Sequence, residues 1–127
     1  MSPFARVVLI AAATVLLYDA VAATASRALG FPYGSASVGS WLIYAGAAFF
    51  ATRATGSLWM GVLAAAAAGL VDSTAGWLIS AWIGPGRPEP GASPGAIATA
   101  VVLVPLMAGA VGLVGALAAR LLGVRSG

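Results

Sequence analysis

Residues Leu58 to Ile83 read LWMGVLAAAAAGLVDSTAGWLISAWI, an apolar run that contains a single charged residue, Asp72. The run exceeds the roughly 20 apolar residues that a helix needs to cross a ~30 Å hydrocarbon core. Asp72 follows Leu58 by 14 residues, or about 21 Å along a helix that rises ~1.5 Å per residue. An acid at that depth costs on the order of 2.5–3.5 kcal/mol on insertion scales. We therefore treat Asp72 as a candidate functional residue.

The composition predicts one all-α integral membrane domain over residues 1–127. The chain has 127 residues, of which 61% are hydrophobic and only 7% are charged. Soluble domains carry ~25% charged residues. Four apolar segments predict transmembrane helices over roughly residues 4–29, 38–53, 58–83 and 95–122. We expect a four-helix bundle, and because four spans return the chain to its starting side, both termini should lie on the same side.

The absence of two residue types excludes several kinds of site and reaction. The chain contains no histidine and no cysteine, which excludes disulfides, thiol chemistry, zinc or haem ligation by these residues, and a nucleophile activated by histidine. We expect no metal site and no cofactor. The six arginines are scattered at helix ends rather than clustered in a basic stripe, so we expect the lipid bilayer, and no nucleic acid, as a partner.

The arginine distribution predicts the orientation. One side of the predicted bundle holds the two termini and the turn between helices 2 and 3, and the other side holds the remaining two connectors. The first side carries Arg6, Arg53, Arg120 and Arg125, and the second carries Arg27 and Arg87. Because Lys and Arg favour the cytoplasmic side, we expect both termini in the cytoplasm, with the chain in the inner or plasma membrane.

The N-terminal segment imitates a secretory signal. Arg6 precedes an apolar run, and Ala23-Thr24-Ala25 has the small-residue pattern of a cleavage site. Asp19, however, interrupts the segment late in its length. We therefore expect this segment to be the first helix of the bundle rather than a leader that is removed.

A weak repeat relates helices 1 and 3. Asp19 is followed 13 residues later by Pro32, and Asp72 is followed 13 residues later by Pro85. Helices 1 and 3 would then be parallel copies, each followed by a returning helix, so that the bundle consists of two parallel-related helical hairpins.

The two acids within the apolar segments are expected at one level of the bundle. Two buried carboxyl groups that lie close together share a proton. We therefore predict a solute- or proton-binding site that contains Asp19 and Asp72 together with Tyr44 and Ser73. The alternative is that each acid separately bonds to a neighbouring hydroxyl or backbone group and only fixes helix packing.

Small residues mark the expected helix contacts. They form one stripe on helix 3 and another on helix 4, and such stripes let helix backbones approach closely in lipid. The predicted packing glycines are Gly61, Gly69, Gly76, Gly109, Gly112 and Gly115. Contacts within one chain and contacts between protomers are both compatible with the pattern. Pro105 removes one backbone hydrogen bond of helix 4 and is expected to kink it.

The pair of acids, with tyrosine before the first as Tyr18-Asp19, resembles the dyad of intramembrane aspartyl proteases. That resemblance implies aspartyl hydrolysis, but it covers the acids alone. The second motif of that family is Gly-x-Gly-Asp, whereas this chain has Gly69-Leu70-Val71-Asp72 and lacks the family's proline-containing motif. Lipoprotein signal peptidases also have four spans and two acids, within Asn-containing surroundings, and this chain has no asparagine.

Three functional hypotheses follow from the sequence. The first is a non-enzymatic homo-oligomeric channel or proton-linked transporter that uses the buried acids for a small solute; four helices enclose little volume, so a passage is expected to need several protomers. The second is an accessory or assembly subunit of a larger membrane complex without catalytic activity. The third is an intramembrane aspartyl hydrolase.

The orientation is tested by labelling single cysteines in intact cells. Ser2→Cys and Ser126→Cys should be protected from an impermeant thiol reagent, because the arginine bias places both termini in the cytoplasm. Ser93→Cys, in the connector before helix 4, should react. Labelling of the terminal cysteines alone would reverse the assignment, and labelling at all three positions would indicate dual insertion.

Overall fold

The structure, a computed structural model, describes residues 1–125 as four long helices joined by short connectors. The helices are α1 (Pro3–Leu29), α2 (Ser37–Thr55), α3 (Leu58–Ile83) and α4 (Pro94–Arg125). A 3₁₀ turn, Tyr33–Ala36, leads into α2. No strand occurs within residues 1–125, and the all-helical prediction is confirmed. Ser126, one of the labelling positions, lies outside the described residues.

Capping residues fix where the helices begin and end. The hydroxyls of Ser2, Ser57 and Ser93 each accept a hydrogen bond from the backbone N–H three residues later, which satisfies one free donor of the first turn. Gly30 and Gly56 end α1 and α2 at φ 78° and 73°, a left-handed conformation that glycine adopts without steric cost. Gly56 and Ser57 therefore reverse the chain between α2 and α3 within two residues.

Three of the helices are long and apolar enough to cross a membrane. These segments are Pro3–Leu29, Leu58–Ile83 and Pro94–Gly123. The 19-residue α2 is not among them. Polar and charged side chains lower its hydropathy, and they are Ser37, Ser40, Tyr44, Thr52, Thr55 and Arg53.

The α2–α3 pair is the centre of the bundle. Both α1 and α4 pack against α2 and α3, but within the described residues α1 and α4 do not pack against each other. Side chains of α1 and α4 nevertheless line a common cavity near the connector between α1 and α2. The space between α1 and α4 therefore leaves room for a binding site.

The core consists of small residues, and the large apolar residues face outward. Two side chains larger than alanine, Val15 and Tyr44, belong to its hydrophobic cluster of buried residues. The other members of that cluster are Ala11, Ala47, Ala48, Ala65, Ala68, Ala108 and Ala116. In contrast, Leu17 is 68% exposed, Leu42 is 70% exposed and Trp82 is 83% exposed. Small residues inside and large apolar residues outside are the distribution found at helix contacts in lipid.

The glycines of α4 make contacts within one chain. A Cβ on Gly112 would overlap the Cβ of Ala65 on α3 and lie 3.3 Å from that of Ala48 on α2. A Cβ on Gly115 would overlap the backbone of Ala45 on α2. Gly109 also faces α3, where a Cβ would make ordinary van der Waals contact, 3.6 Å from the nearest side-chain atom. The small residues of α4 thus bring it against α2 and α3.

The glycines of α3 complete the same packing. A Cβ on Gly61 would overlap the Thr52 hydroxyl of α2, and a Cβ on Gly69 would lie 3.1 Å from the Pro105 Cα of α4 and close to the Cβ of Ala108. Pro105 lies inside α4, which continues on both sides of it. Its Cα therefore lies opposite Gly69, a position where α3 has no side chain.

The close contact at Gly112 is tested by substitution. Gly112→Leu should lower the free energy of unfolding by about 1–3 kcal/mol or more, because overpacking a tight contact forces the helices apart. Gly46→Leu is the matched control, since Gly46 is also inside a helix but nothing lies within 4 Å of a Cβ there. Unfolding in detergent measures both. Equal stability of the two variants would contradict the contact.

Candidate functional site

Asp19 of α1 and Asp72 of α3 lie side by side. The carboxyl groups interact directly, and both contact the same position of α3, Gly76. A Cβ at Gly76 would overlap Asp19 Oδ2 and would lie 3.2 Å from Asp72 Oδ1. Glycine at position 76 therefore allows α1 to approach α3 closely enough for the two carboxyl groups to meet.

Each carboxyl group receives a hydrogen bond from a tyrosine. The Tyr44 hydroxyl of α2 donates to Asp72 Oδ2, and the Tyr33 hydroxyl of the 3₁₀ turn donates to Asp19 Oδ1 over 3.4 Å. Two effects raise the pKa of Tyr33 to about 12: burial, which is the larger, and the negative charge of Asp19. Tyr33 therefore keeps its proton at neutral pH and acts as a donor.

One oxygen of Asp19 is left without a donor. The side chain is 3% exposed, and its Oδ2 atom is buried with no hydrogen-bond partner in residues 1–125. A buried polar atom without a partner costs about 1–3 kcal/mol, and more when it is charged. A proton held between Asp19 and Asp72, or a cation beside them, would satisfy this oxygen. The arrangement is therefore suited to binding a positive charge.

A cavity of about 250 Å³ leads to the carboxyl pair. It lies between α1, α2 and α4 and reaches the 3₁₀ turn at the end of the bundle. The chain has three tyrosines, Tyr18, Tyr33 and Tyr44, and all three line this cavity. We call it the tyrosine cavity; its other lining residues are Asp19, Gly34, Ala36, Ser37, Ser40, Trp41, Asp72, Val104 and Met107.

A second cavity reaches Asp72 from another direction. It has a volume of about 370 Å³ and lies between the C-terminal part of α3 and the N-terminal part of α4, under the connector that joins them. Tyr33, Asp72 and Val104 line both cavities. Asp72 is therefore the point where the two cavities meet, whereas Asp19 belongs to the tyrosine cavity.

The α3 helix widens at the site. Residues Asp72–Gly76 form a π-helical turn. The Thr74 hydroxyl donates to the Leu70 carbonyl over 2.6 Å, and the Ser73 hydroxyl donates to the carbonyls of Leu70 and Val101, over 3.3 and 3.2 Å. These side chains bond backbone carbonyls that lie next to the turn. Single π turns occur frequently at functional sites.

On the other side of the carboxyl pair, α2, α3 and α4 pack tightly against one another. Between the acids and the termini, most facing positions of these three helices are alanine or glycine. Ala48, Ala65, Ala68, Ala108 and Ala116 are each 0% exposed. The two cavities that contact Asp72 therefore open toward the connectors at residues 30–36 and 84–93.

The structure brings together three of the four residues predicted from the sequence to bind a solute or proton. Asp19, Asp72 and Tyr44 meet in the tyrosine cavity, while Ser73 lines the second cavity. Sequence reasoning missed Tyr18 and Tyr33 as site residues. A signal was available, because the hydroxyl of a buried tyrosine needs a hydrogen-bond partner.

A double-mutant cycle tests whether the acids act as one site. Asp19→Asn and Asp72→Asn should change the free energy of unfolding non-additively, by about 0.5–3 kcal/mol, as residues in direct contact do. Asp19→Asn combined with Glu89→Gln is the control pair, because Glu89 is exposed and lines neither cavity. The control pair should be additive. Additive effects in both pairs, measured by unfolding in detergent, would contradict the coupling.

The site thus consists of two facing carboxyl groups, three tyrosines and a cavity that opens at one end of the bundle. Within residues 1–125, no group of three His, Cys, Asp or Glu residues could hold a metal ion. No protein family, no curated protein and no solved structure matches this chain.

Proposed function

We propose that this chain is a proton-linked membrane transporter for a small solute, with Asp19 and Asp72 as its binding groups. The observation that carries the proposal is the meeting of these two carboxyl groups at the inner end of the tyrosine cavity. One of their oxygens has no hydrogen-bond partner, so the pair is suited to hold a proton in one state and a solute in another.

The proposal places all four helices across the bilayer. Three are long and apolar enough to span it. The 19-residue α2 is about 28 Å long at ~1.5 Å per residue, close to the ~30 Å hydrocarbon core. It is joined to α3 by two residues and packs against apolar helices, which bury its Tyr44 and Thr52 side chains. Exposed Leu17, Leu42 and Trp82 would face lipid.

Access from one end favours a transporter over an open channel. The tyrosine cavity opens beside the 3₁₀ turn, and in the opposite half of the bundle tight contacts, mostly of alanine and glycine, join α2, α3 and α4. With the termini in the cytoplasm, as the arginine bias predicts, this conformation is outward-facing. A channel would need a continuous polar path. A transporter needs the carboxyl pair to be reached from the two sides in turn.

The π turn supplies a place where α3 can change conformation. A π turn that relaxes to α-helix changes the rotation of the helix on either side of it, which would alter how Asp72 is aligned with Asp19. The hydroxyls of Ser73 and Thr74 already bond carbonyls next to the turn. Asp72, one of the two proposed proton-binding residues, would therefore lie at the hinge.

The remaining hypotheses have weaker support. Two facing carboxyl groups are also what an aspartyl hydrolase uses, but a cavity of about 250 Å³ suits a small molecule better than a peptide segment. The sequence predicts self-association, because four helices enclose little volume. The tyrosine cavity, however, lies within one chain, so a homo-oligomer is not required to complete the site.

Proteoliposomes that contain a pH-sensitive dye test the proposal. Small cationic, neutral and anionic solutes are added outside, and at least one should move protons across the membrane. Asp19→Asn and Asp72→Asn should each reduce that flux at least about tenfold, as the loss of ~1.4 kcal/mol of binding energy would. Glu89→Gln should retain it.

Two results would contradict a transporter. If no solute moves protons through the unaltered protein, or if the Asn variants move them equally well, the carboxyl pair does not couple protons to transport. Copurification with unrelated membrane subunits would then favour the accessory role. Proteolysis of a membrane peptide that requires both acids would favour the hydrolase.

A further inference from the structure

We propose that the tyrosine cavity binds a small organic ammonium ion, with its charge beside Asp19 and Asp72 and its apolar part against Tyr18, Trp41 and Met107. This inference rests on the proposed function and names the class of solute that the transporter would carry. Four properties of the cavity support it: the sign of its charge, its aromatic lining, its volume and the unpartnered oxygen of Asp19.

The charge around the cavity selects a cation. Among the residues that the structure describes, Asp19 and Asp72 are the acids that line it, and no arginine does. Arg27 donates a hydrogen bond to the Ile83 carbonyl and Arg87 donates to the Ala81 carbonyl, and both side chains are exposed. The carboxyl pair therefore lacks a basic partner among the residues that surround it. An anionic solute would meet repulsion, and a neutral solute would leave the charge unbalanced.

Aromatic rings in the cavity favour an organic cation. The rings of Tyr18, Tyr33, Tyr44 and Trp41 line it together with the Met107 thioether. Ammonium groups are attracted to the faces of such rings, by about 0.5–1 kcal/mol at exposed sites and ~2 when desolvated. Methionine is flexible and adapts to the shape of an apolar group. These side chains can surround the hydrocarbon part of an amine.

The volume and the oxygen atoms argue against a bare metal ion. The cavity of about 250 Å³ is several times the ~30 Å³ that one water molecule occupies. Hard cations such as Ca²⁺ need about six or more oxygen ligands, whereas two of the four carboxyl oxygens here already accept tyrosine hydrogen bonds. An ammonium N–H needs a single acceptor, and Asp19 Oδ2 has no donor.

The cation and a proton would compete for the same oxygens. Besides the two acids, the titratable side chains that line the cavity are Tyr18 from α1, Tyr33 from the 3₁₀ turn and Tyr44 from α2. The described residues that α4 contributes, Val104 and Met107, do not titrate. When the ammonium ion enters, the proton shared by the carboxyl groups leaves to water in the cavity. When the ammonium ion leaves, a proton returns. Because one proton leaves for each cation that binds, movement of the cation is coupled to movement of the proton.

Binding to the purified protein in nanodiscs is measured by calorimetry with three probes: benzylammonium, its neutral analogue benzyl alcohol, and Na⁺. Alkylammonium groups titrate near pH ~10, so benzylammonium stays charged between about pH 6 and about pH 8. Benzylammonium should bind at least about tenfold more tightly than the other two probes. Its Kd should rise by up to about tenfold for each unit that the pH falls, which is the limit for one proton exchanged per cation.

Variants identify the site. Asp19→Asn and Asp72→Asn should each weaken benzylammonium binding at least about tenfold, since a charge-assisted contact is lost. They should also remove the pH dependence. Glu89→Gln, which changes an exposed acid outside both cavities, should leave the Kd and its pH dependence unchanged. If an Asn variant fails to fold, Trp41→Ala should still weaken benzylammonium binding, because one aromatic face of the cavity is removed.

The outcomes separate this inference from the proposed function. Equal binding of benzyl alcohol or Na⁺, or binding that ignores both acids, overturns the ammonium class. If benzylammonium does not bind while another solute still moves protons in a manner that requires both acids, the proposed class of solute is wrong and the proposed transporter function is retained. If no solute moves protons, both proposals fall. Tight, acid-dependent and pH-dependent binding of benzylammonium supports the inference.

Discussion

Close contact between helices through small side chains is the constraint on which this structure depends. The core is made of alanine and glycine, and the large apolar side chains point outward. In the proposed bilayer setting, burying a leucine between helices gains little, because lipid tails are equally apolar. Van der Waals contact between backbones has to replace the hydrophobic effect. Gly115 against the backbone of Ala45, Gly112 against Ala65 and Gly61 against Thr52 are positions where the helices come this close.

The same constraint produces the site. Gly76 has no side chain at the position where Asp19 meets α3, so two carboxyl groups from different helices lie together. Tyr44, the bulkiest side chain in the alanine core, is held there by its hydrogen bond to Asp72. Small residues bring the helices together in one half of the bundle. In the other half, tyrosine hydrogen bonds join α2 to α3 and α1 to the 3₁₀ turn beside the cavity.

The site joins electrostatics to conformation. A buried carboxyl oxygen without a partner has an energetic cost that a proton or a cation would relieve, and the adjoining π turn lies in the helix that carries Asp72. Under the proposed function, exchanging one positive charge for another at this position changes what holds α1 and α3 together. Exchange of a proton for a cation would therefore directly affect the packing of α1 against α3, because these helices touch at Gly76 and the π turn ends there.

The sequence by itself determined the helices and their ends. Long apolar runs, serine N-caps and glycine C-caps are local signals, so α1, α3 and α4 and the turn at Gly56-Ser57 follow from neighbouring residues alone. It also singled out Asp19, Asp72 and Tyr44, because polar groups in apolar helices are costly. Only the tertiary structure decided that these residues meet and that Tyr18 and Tyr33 join them. Residues far apart in the chain become neighbours through helix rotation and spacing, and a stripe of small residues marks a contact face without specifying which helix packs on it. The π turn was likewise absent from the sequence prediction, since an apolar run has the same composition whether one of its turns is α or π.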